Sequence, residues 1–162
     1  MTKEQLGTLI LNSERQLYST AKTILFNDQD CGDAIQETIV KAFSNIGTLR
    51  NDKYAKTWLI RILINECYTL LRKSSKLVSL EEMGEMTEIG TDKEIDYSDL
   101  YRAVNSLKEE LRLPAILYYI EDFNINEIAQ ILEITEGAVQ KRLARARGKL
   151  KRDLQESEGL IV

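Results

Sequence analysis

Two sets of side chains in this sequence could do chemistry, and both suit a polyanion with exposed bases. The first runs from Lys56-Thr57-Trp58-Leu59-Ile60-Arg61 to Leu70-Leu71-Arg72-Lys73. On a helix, at about 100° per residue, Trp58 lies about 60° from Arg61, Asn65 about 40°, Arg72 about 20° and Tyr68 about −20°. All five share one face. An indole platform, amide and phenol donors and two guanidiniums fit unstacked bases and their phosphates. Taken alone, Trp58 reads as a core residue. In this company a dry core would leave Arg61 and Arg72 buried without carboxylate partners on their face.

The second set is the segment 123–154. Asn124 or Asn126 can cap a short helix bearing Ile128, Ala129 and Leu132, and Thr135 can cap a longer one after a turn at Glu133-Ile134. On that longer helix Val139, Leu143, Ala146, Leu150 and Leu154 form a narrow apolar stripe. Gly137, Lys141, Arg145, Gly148 and Arg152 lie opposite, with Arg142 and Lys149 on the flank. A basic helix alone reads as a solvated face capping a bundle. The ordered combination of short helix, turn, cap and basic helix reads as a helix-turn-helix. Its basic groups would neutralise phosphates, while Glu136, Gln140 and Lys141 in the first turns would reach base edges in the major groove. Glu133 stands where glycine is common, and a left-handed backbone suits glutamate poorly, so a strained or differently shaped turn is expected there.

The rest of the composition excludes other chemistries. With no histidine in 162 residues, Ser-His-Asp and Cys-His catalysis and imidazole-bound zinc are ruled out. Cys31 and Cys67 are too isolated for a thiolate cluster or a disulfide framework, which points to a reducing cytoplasmic setting. Neither a catalytic residue, a cofactor nor a metal is expected. The longest apolar run, 115–120, is far too short to span a bilayer, so no membrane insertion is expected. A net charge of −4 argues at first against a nucleic-acid partner. By segment, however, residues 1–75 carry +2, 76–99 carry −6, 100–134 carry −3 and 135–162 carry +3. The acidity belongs chiefly to one stretch.

These elements must be positioned by helices. Apolar residues recur with a helical period, and no alternating run of strand length occurs. The expected fold is all-α: two small helical domains joined by an acidic flexible linker, the C-terminal one a helix-turn-helix. Residues 1–75 form the first domain, with helices near 5–26, 30–46 and 53–73. Residues 76–96 form the linker, with one short helical turn near 80–83. Residues 97–162 form the second, with helices near 97–107, 113–121, 126–132 and 136–156. In the helix near 30–46, Ile35, Ile39, Ala42 and Ile46 are expected to point inward, and Asp33, Gln36, Glu37 and Val40 outward.

Three stretches of the first domain together resemble extracytoplasmic-function (ECF) sigma factors of bacterial RNA polymerase: Asp33-Ala34-Ile35-Gln36-Glu37-Thr38, Thr57-Trp58-Leu59-Ile60-Arg61-Ile62, and Asn65 with Leu71-Arg72. In the second domain the resemblance rests on Tyr118-Tyr119-x-Glu121-Asp122-Phe123, Glu127-Ile128-Ala129, Glu136-Gly137-Ala138-Val139 and Arg142-Leu143-x-Arg145-Ala146-Arg147. It implies a sigma factor that binds polymerase core and directs promoter-specific initiation, in a stress or envelope-signal response. Asp33, Gln36, Glu37 and Val40 would dock on the β′ clamp. Trp58, Arg61, Asn65, Tyr68, Arg72 and Lys73, with the loop 51–56, would open and read the −10 element. Thr135, Glu136, Gln140, Lys141, Arg142 and Arg145 would read the −35 element while that domain sits on the β flap. An anti-sigma factor is a further implied partner. The sequence departs from the family at Ile39, usually aromatic, Ile64, usually basic, and Thr69, usually acidic. The other expectation the residues allow is a helix-turn-helix repressor or activator with an N-terminal dimerisation or sensing domain.

Overall fold

A computed structural model describes residues 1–77 and 98–161, the side chains of 74–77, 98–101 and 156–161 excepted. The described residues are helical with connecting turns, and no strand occurs among them. The chain divides into two compact units, residues 1–89 and 90–162. Most of the acidic stretch, including the helical turn expected near 80–83, lies outside the described residues.

The first unit is built from α1 (Lys3–Asn12), α2 (Glu14–Leu25), α3 (Asp28–Ser44) and α4 (Ala55–Leu77). The single helix expected over 5–26 is two helices. Thr2 opens α1 through a reciprocal cap with Gln5, and the chain breaks at Ser13, whose backbone leaves the helical region. The break lets Leu6 and Ile10 of α1 and Leu17, Ala21, Ile24 and Leu25 of α2 each bury their own stripe. Phe26 takes a left-handed backbone, φ 67°, to end α2, and the Asn27 side chain then accepts from the Asp30 amide at 2.8 Å to start α3. Lys22 and Tyr18 both donate to Asp28 and hold its carboxyl below the usual carboxylate range, Lys22 contributing most.

The inward stripe of α3 keeps Ala42 as expected, but two of its other places fall one position earlier, at Ala34 and Thr38. Cys31, Ala34, Thr38 and Ala42 are buried, whereas Ile35, Ile39 and Ile46 are half-buried at its margins. Small residues occupy the seam because α3 packs closely on α4, where Leu59, Ile60, Leu63, Ile64 and Cys67 are buried. Two short 3₁₀ turns, Ile46–Thr48 and Asp52–Tyr54, connect these helices.

The second unit comprises α5 (Ser98–Asn105), α6 (Glu109–Ala115), α7 (Ile125–Leu132) and α8 (Glu136–Ile161). Its core joins Ala103, Val104, Leu107, Ala115 and Ile116 to Ala146 and Leu150 of α8. The helix expected over 113–121 begins earlier, at Glu109, where Glu109 and Glu110 favour the positive end of the helix dipole. Its second half is a π-helical segment, Ile116–Ile120, in which the Glu121 amide reaches back to the Ile116 carbonyl at 2.9 Å. Pro114 just upstream removes one α-helical hydrogen bond. The π turn sends Ile116 and Leu117 into the core and Tyr118 and Tyr119 outward.

Candidate nucleic-acid interface

The geometry of the second unit is set by the junction between α7 and α8. Asn124 is the cap of α7: its side chain accepts from the Glu127 amide at 2.8 Å, and the Glu127 carboxylate accepts from the Asn124 amide at 2.9 Å. Ile128, Ala129 and Ile131 bury the inner side of α7, and Leu132 is half-buried. Glu133 then takes the left-handed conformation, φ 58° and ψ 43°, so the expected strain is present. The Ile134 amide bonds back to the Ala129 carbonyl at 3.1 Å, closing the turn. Thr135 caps α8 by accepting from the Ala138 amide at 3.0 Å.

From this start α8 buries Val139, Leu143, Ala146 and Leu150, with Leu154 half-buried after them. Thr135, Glu136, Gln140, Lys141 and Arg145 are all exposed, and Arg142 is half-buried on the flank. Arg142 leans toward α6, its Nε 3.9 Å from Glu110 Oε1, an exposed pair of little energetic weight. Further along, Arg147 Nε donates to the Tyr119 hydroxyl at 3.1 Å, and Tyr118 and Tyr119 stack edge to face. This aromatic-cation neighbour of the basic helix was missed from sequence, because 28 positions separate its members.

In the first unit α4 presents Arg61, Asn65, Arg72 and Lys73 to solvent, with Trp58 and Tyr68 half-buried beside them. Trp58 is neither a core residue nor a free platform. Its Nε1 donates to Thr48 Oγ1 at 3.3 Å, which fixes the indole against the turn before the 51–56 loop. Thr69 sits beside this face and accepts from Arg72 Nη2 at 3.3 Å. Ile64 is buried, so an unpaired cation at that position would have to leave the core. On α3, Asp33, Gln36, Glu37 and Val40 are all exposed, and Val40, at 58%, puts an apolar spot among polar neighbours.

Lys41 and Glu66 escaped the sequence reading. Glu66 lies on the core side of α4, 7% exposed, and its carboxylate accepts from Lys41 Nζ of α3. That bond raises the Lys41 pKa above its ordinary value. A carboxylate at a core-phase position, between Leu63 and Cys67, was the available signal. Among the described residues no group of three or more Cys, Asp or Glu is placed to hold a metal ion, and no helix is long and apolar enough to cross a membrane.

Residues 9–77 match the family described as sigma-70 region 2, and residues 97–150 match sigma-70 region 4. The chain is 33% identical over 146 residues to RNA polymerase sigma factor SigV of Bacillus subtilis, covering 90% of this chain and 88% of that protein. It is 30% identical to the ECF RNA polymerase sigma factor SigM of Mycobacterium tuberculosis, covering 89% of this chain and 74% of that one. In fold it resembles the sigma factor RpoE of Bartonella quintana, solved in complex with the anti-sigma factor NepR. The TM-score is 0.75 at 23% identity, over 94% of this chain and 98% of that one.

Proposed function

The chain belongs to the ECF sigma factors of the sigma-70 family, and from that premise we propose how its two units divide the work of promoter-specific initiation. The protein binds RNA polymerase core and directs it to promoters. The repressor alternative is set aside, because the N-terminal unit matches sigma-70 region 2 over residues 9–77.

The first unit docks on the β′ clamp through Asp33, Gln36, Glu37 and Val40, and engages the −10 element through Trp58, Arg61, Asn65, Tyr68, Arg72 and Lys73. The edge of the half-buried indole would replace base stacking as the duplex opens. The second unit sits on the β flap and reads the −35 element. Glu136, Gln140 and Lys141 address base edges, while Thr135, Arg142 and Arg145 hold phosphates. The chemistry of initiation is the polymerase's, in the cytoplasm, and the sigma factor contributes recognition and strand capture. An anti-sigma factor is the expected negative partner, as it is for the Bartonella protein.

One observation carries the −35 assignment. The first three turns of α8 expose Glu136, Gln140, Lys141 and Arg145 around a buried stripe, Lys141 and Arg145 on the side opposite it, beside a capped and tightly closed turn. The test is transcription from a genomic promoter library with purified core polymerase and this protein. Initiation at a shared pair of spaced elements is the expected result; a complete lack of initiation would sink the proposal.

A further inference from the structure

The Lys41–Glu66 pair is hard to explain as a source of stability. Taking a carboxylate out of water is costly, and a well-packed apolar pair in the same place is commonly as stable or more so. What an ion pair supplies and an apolar pair does not is direction: it is satisfied in one axial and rotational setting of two helices and in few others. The seam around it needs such a device. On α3 it is lined by Cys31, Ala34, Thr38 and Ala42, and the Thr38 hydroxyl bonds within its own helix, to the Ala34 carbonyl at 2.7 Å. Small side chains let α3 and α4 approach closely but interlock weakly, so they define distance better than register.

The partners also sit beside the two faces whose relative setting matters. Lys41 follows Val40 and lies one turn beyond Glu37, so it adjoins the polymerase-docking face of α3. Glu66 follows Asn65 and lies between the core residues Leu63 and Cys67. We propose that Glu66 is a positioning residue, and that its bond to Lys41 pins α3 against α4 so that docking on polymerase places the −10 face at one height and angle to the DNA. This rests on the assignment of those two faces made above. Captured bases must meet Trp58 and Asn65 within a fraction of an ångström, and a misplacement of about 1 Å is enough to cost on the order of a hundredfold in a positioned reaction.

The experiment uses the full chain with core polymerase and a promoter found in the library assay. It measures core affinity, the thermal midpoint, and permanganate reactivity of unpaired thymines at core concentrations that saturate each variant. Glu66→Leu is expected to keep core affinity within about threefold and to lose about tenfold in promoter opening. Glu66→Gln, whose amide oxygen still accepts from Lys41, is expected to keep opening within about threefold of the parent. If Glu66→Leu loses its fold, the apolar pair Lys41→Met/Glu66→Leu takes its place, with a restored midpoint and the same opening defect expected. Unchanged opening in the folded apolar variant overturns the pin, as does an equal defect in Glu66→Gln. A parent protein that binds core yet opens no promoter overturns the reading of α4 itself, a result distinct from either.

Discussion

The two helices proposed to face DNA are amphipathic in opposite proportions. Between Trp58 and Arg72, α4 fully exposes only Arg61, Asn65 and Arg72, and buries Leu59, Ile60, Leu63, Ile64, Glu66 and Cys67. Between Glu136 and Leu150, α8 buries only Val139, Leu143, Ala146 and Leu150. The first is a core helix with a narrow functional edge, and the second is a surface helix with a narrow structural edge. A substitution on the α4 face should therefore perturb the fold and the proposed DNA contact together, whereas α8 should change its surface with little effect on folding.

The largest expected effect probes burial directly. Both cysteines lie in the first unit, and burial pushes Cys31 to about 11 and Cys67 to about 12. At pH 8 the Cys31 thiolate fraction should be about a hundredfold below that of an unfolded chain, and iodoacetamide labelling should slow at least that much. The sign with pH follows. Unfolded thiols ionise near pH 9 and the folded ones only above about 11, so the first unit should lose stability as pH rises beyond 9. Labelling as fast in the folded as in the unfolded chain would break the comparison at its base.

Next in size is Lys141→Glu, which under the proposed −35 assignment would place a negative charge in the major groove. It should lower −35-dependent initiation about 30-fold while shifting the thermal midpoint by less than about 2 °C. If the variant melted, the outer surface of α8 would not be independent of the fold. Trp58→Ala should behave differently. It removes a half-buried ring and its bond to Thr48, so opening should fall about tenfold and the first unit should lose about 1–2 kcal/mol in urea melts. Faster thiol labelling in this variant and none in Lys141→Glu would sharpen the contrast.

The smallest effect concerns the turn. Glu133→Gly relieves a left-handed backbone but loosens the unfolded chain, for a net gain of about 0.5–1 kcal/mol in the second unit, with promoter choice unchanged. A loss of stability would mean that the glutamate side chain outweighs its backbone strain.

The same asymmetry decides what could be read from sequence. The α8 stripe, the Thr135 cap and the exposed positions of that helix follow from period alone, because one local face carries everything. On α3 the period and the outward face follow from the sequence, and Ala42 is buried as expected, but Ile35 and Ile39 are displaced by their neighbours. Hydropathy favours the largest apolar groups, Ile35 and Ile39, while close helix packing selected Ala34 and Thr38. The break at Ser13 and the π turn after Pro114 depend on tertiary packing that shows no local pattern. Lys41–Glu66 joins positions 25 apart: the core-phase carboxylate can be read from sequence, but nothing local names its partner. Long-range pairing is what local reasoning cannot see.

The π segment Ile116–Ile120 has a consequence for chain length. Such a turn is an α-helix holding one surplus residue. Deleting that residue would restore ordinary helical bonding and leave the flanking turns in register, because the wide turn already seats the Glu121 amide beneath the Ile116 carbonyl. The cost would fall on the segment itself, whose side chains divide between the core, Ile116 and Leu117, and the surface, Tyr118 and Tyr119. A one-residue deletion among the outward tyrosines should therefore be borne far better than one that removes Ile116 or Leu117.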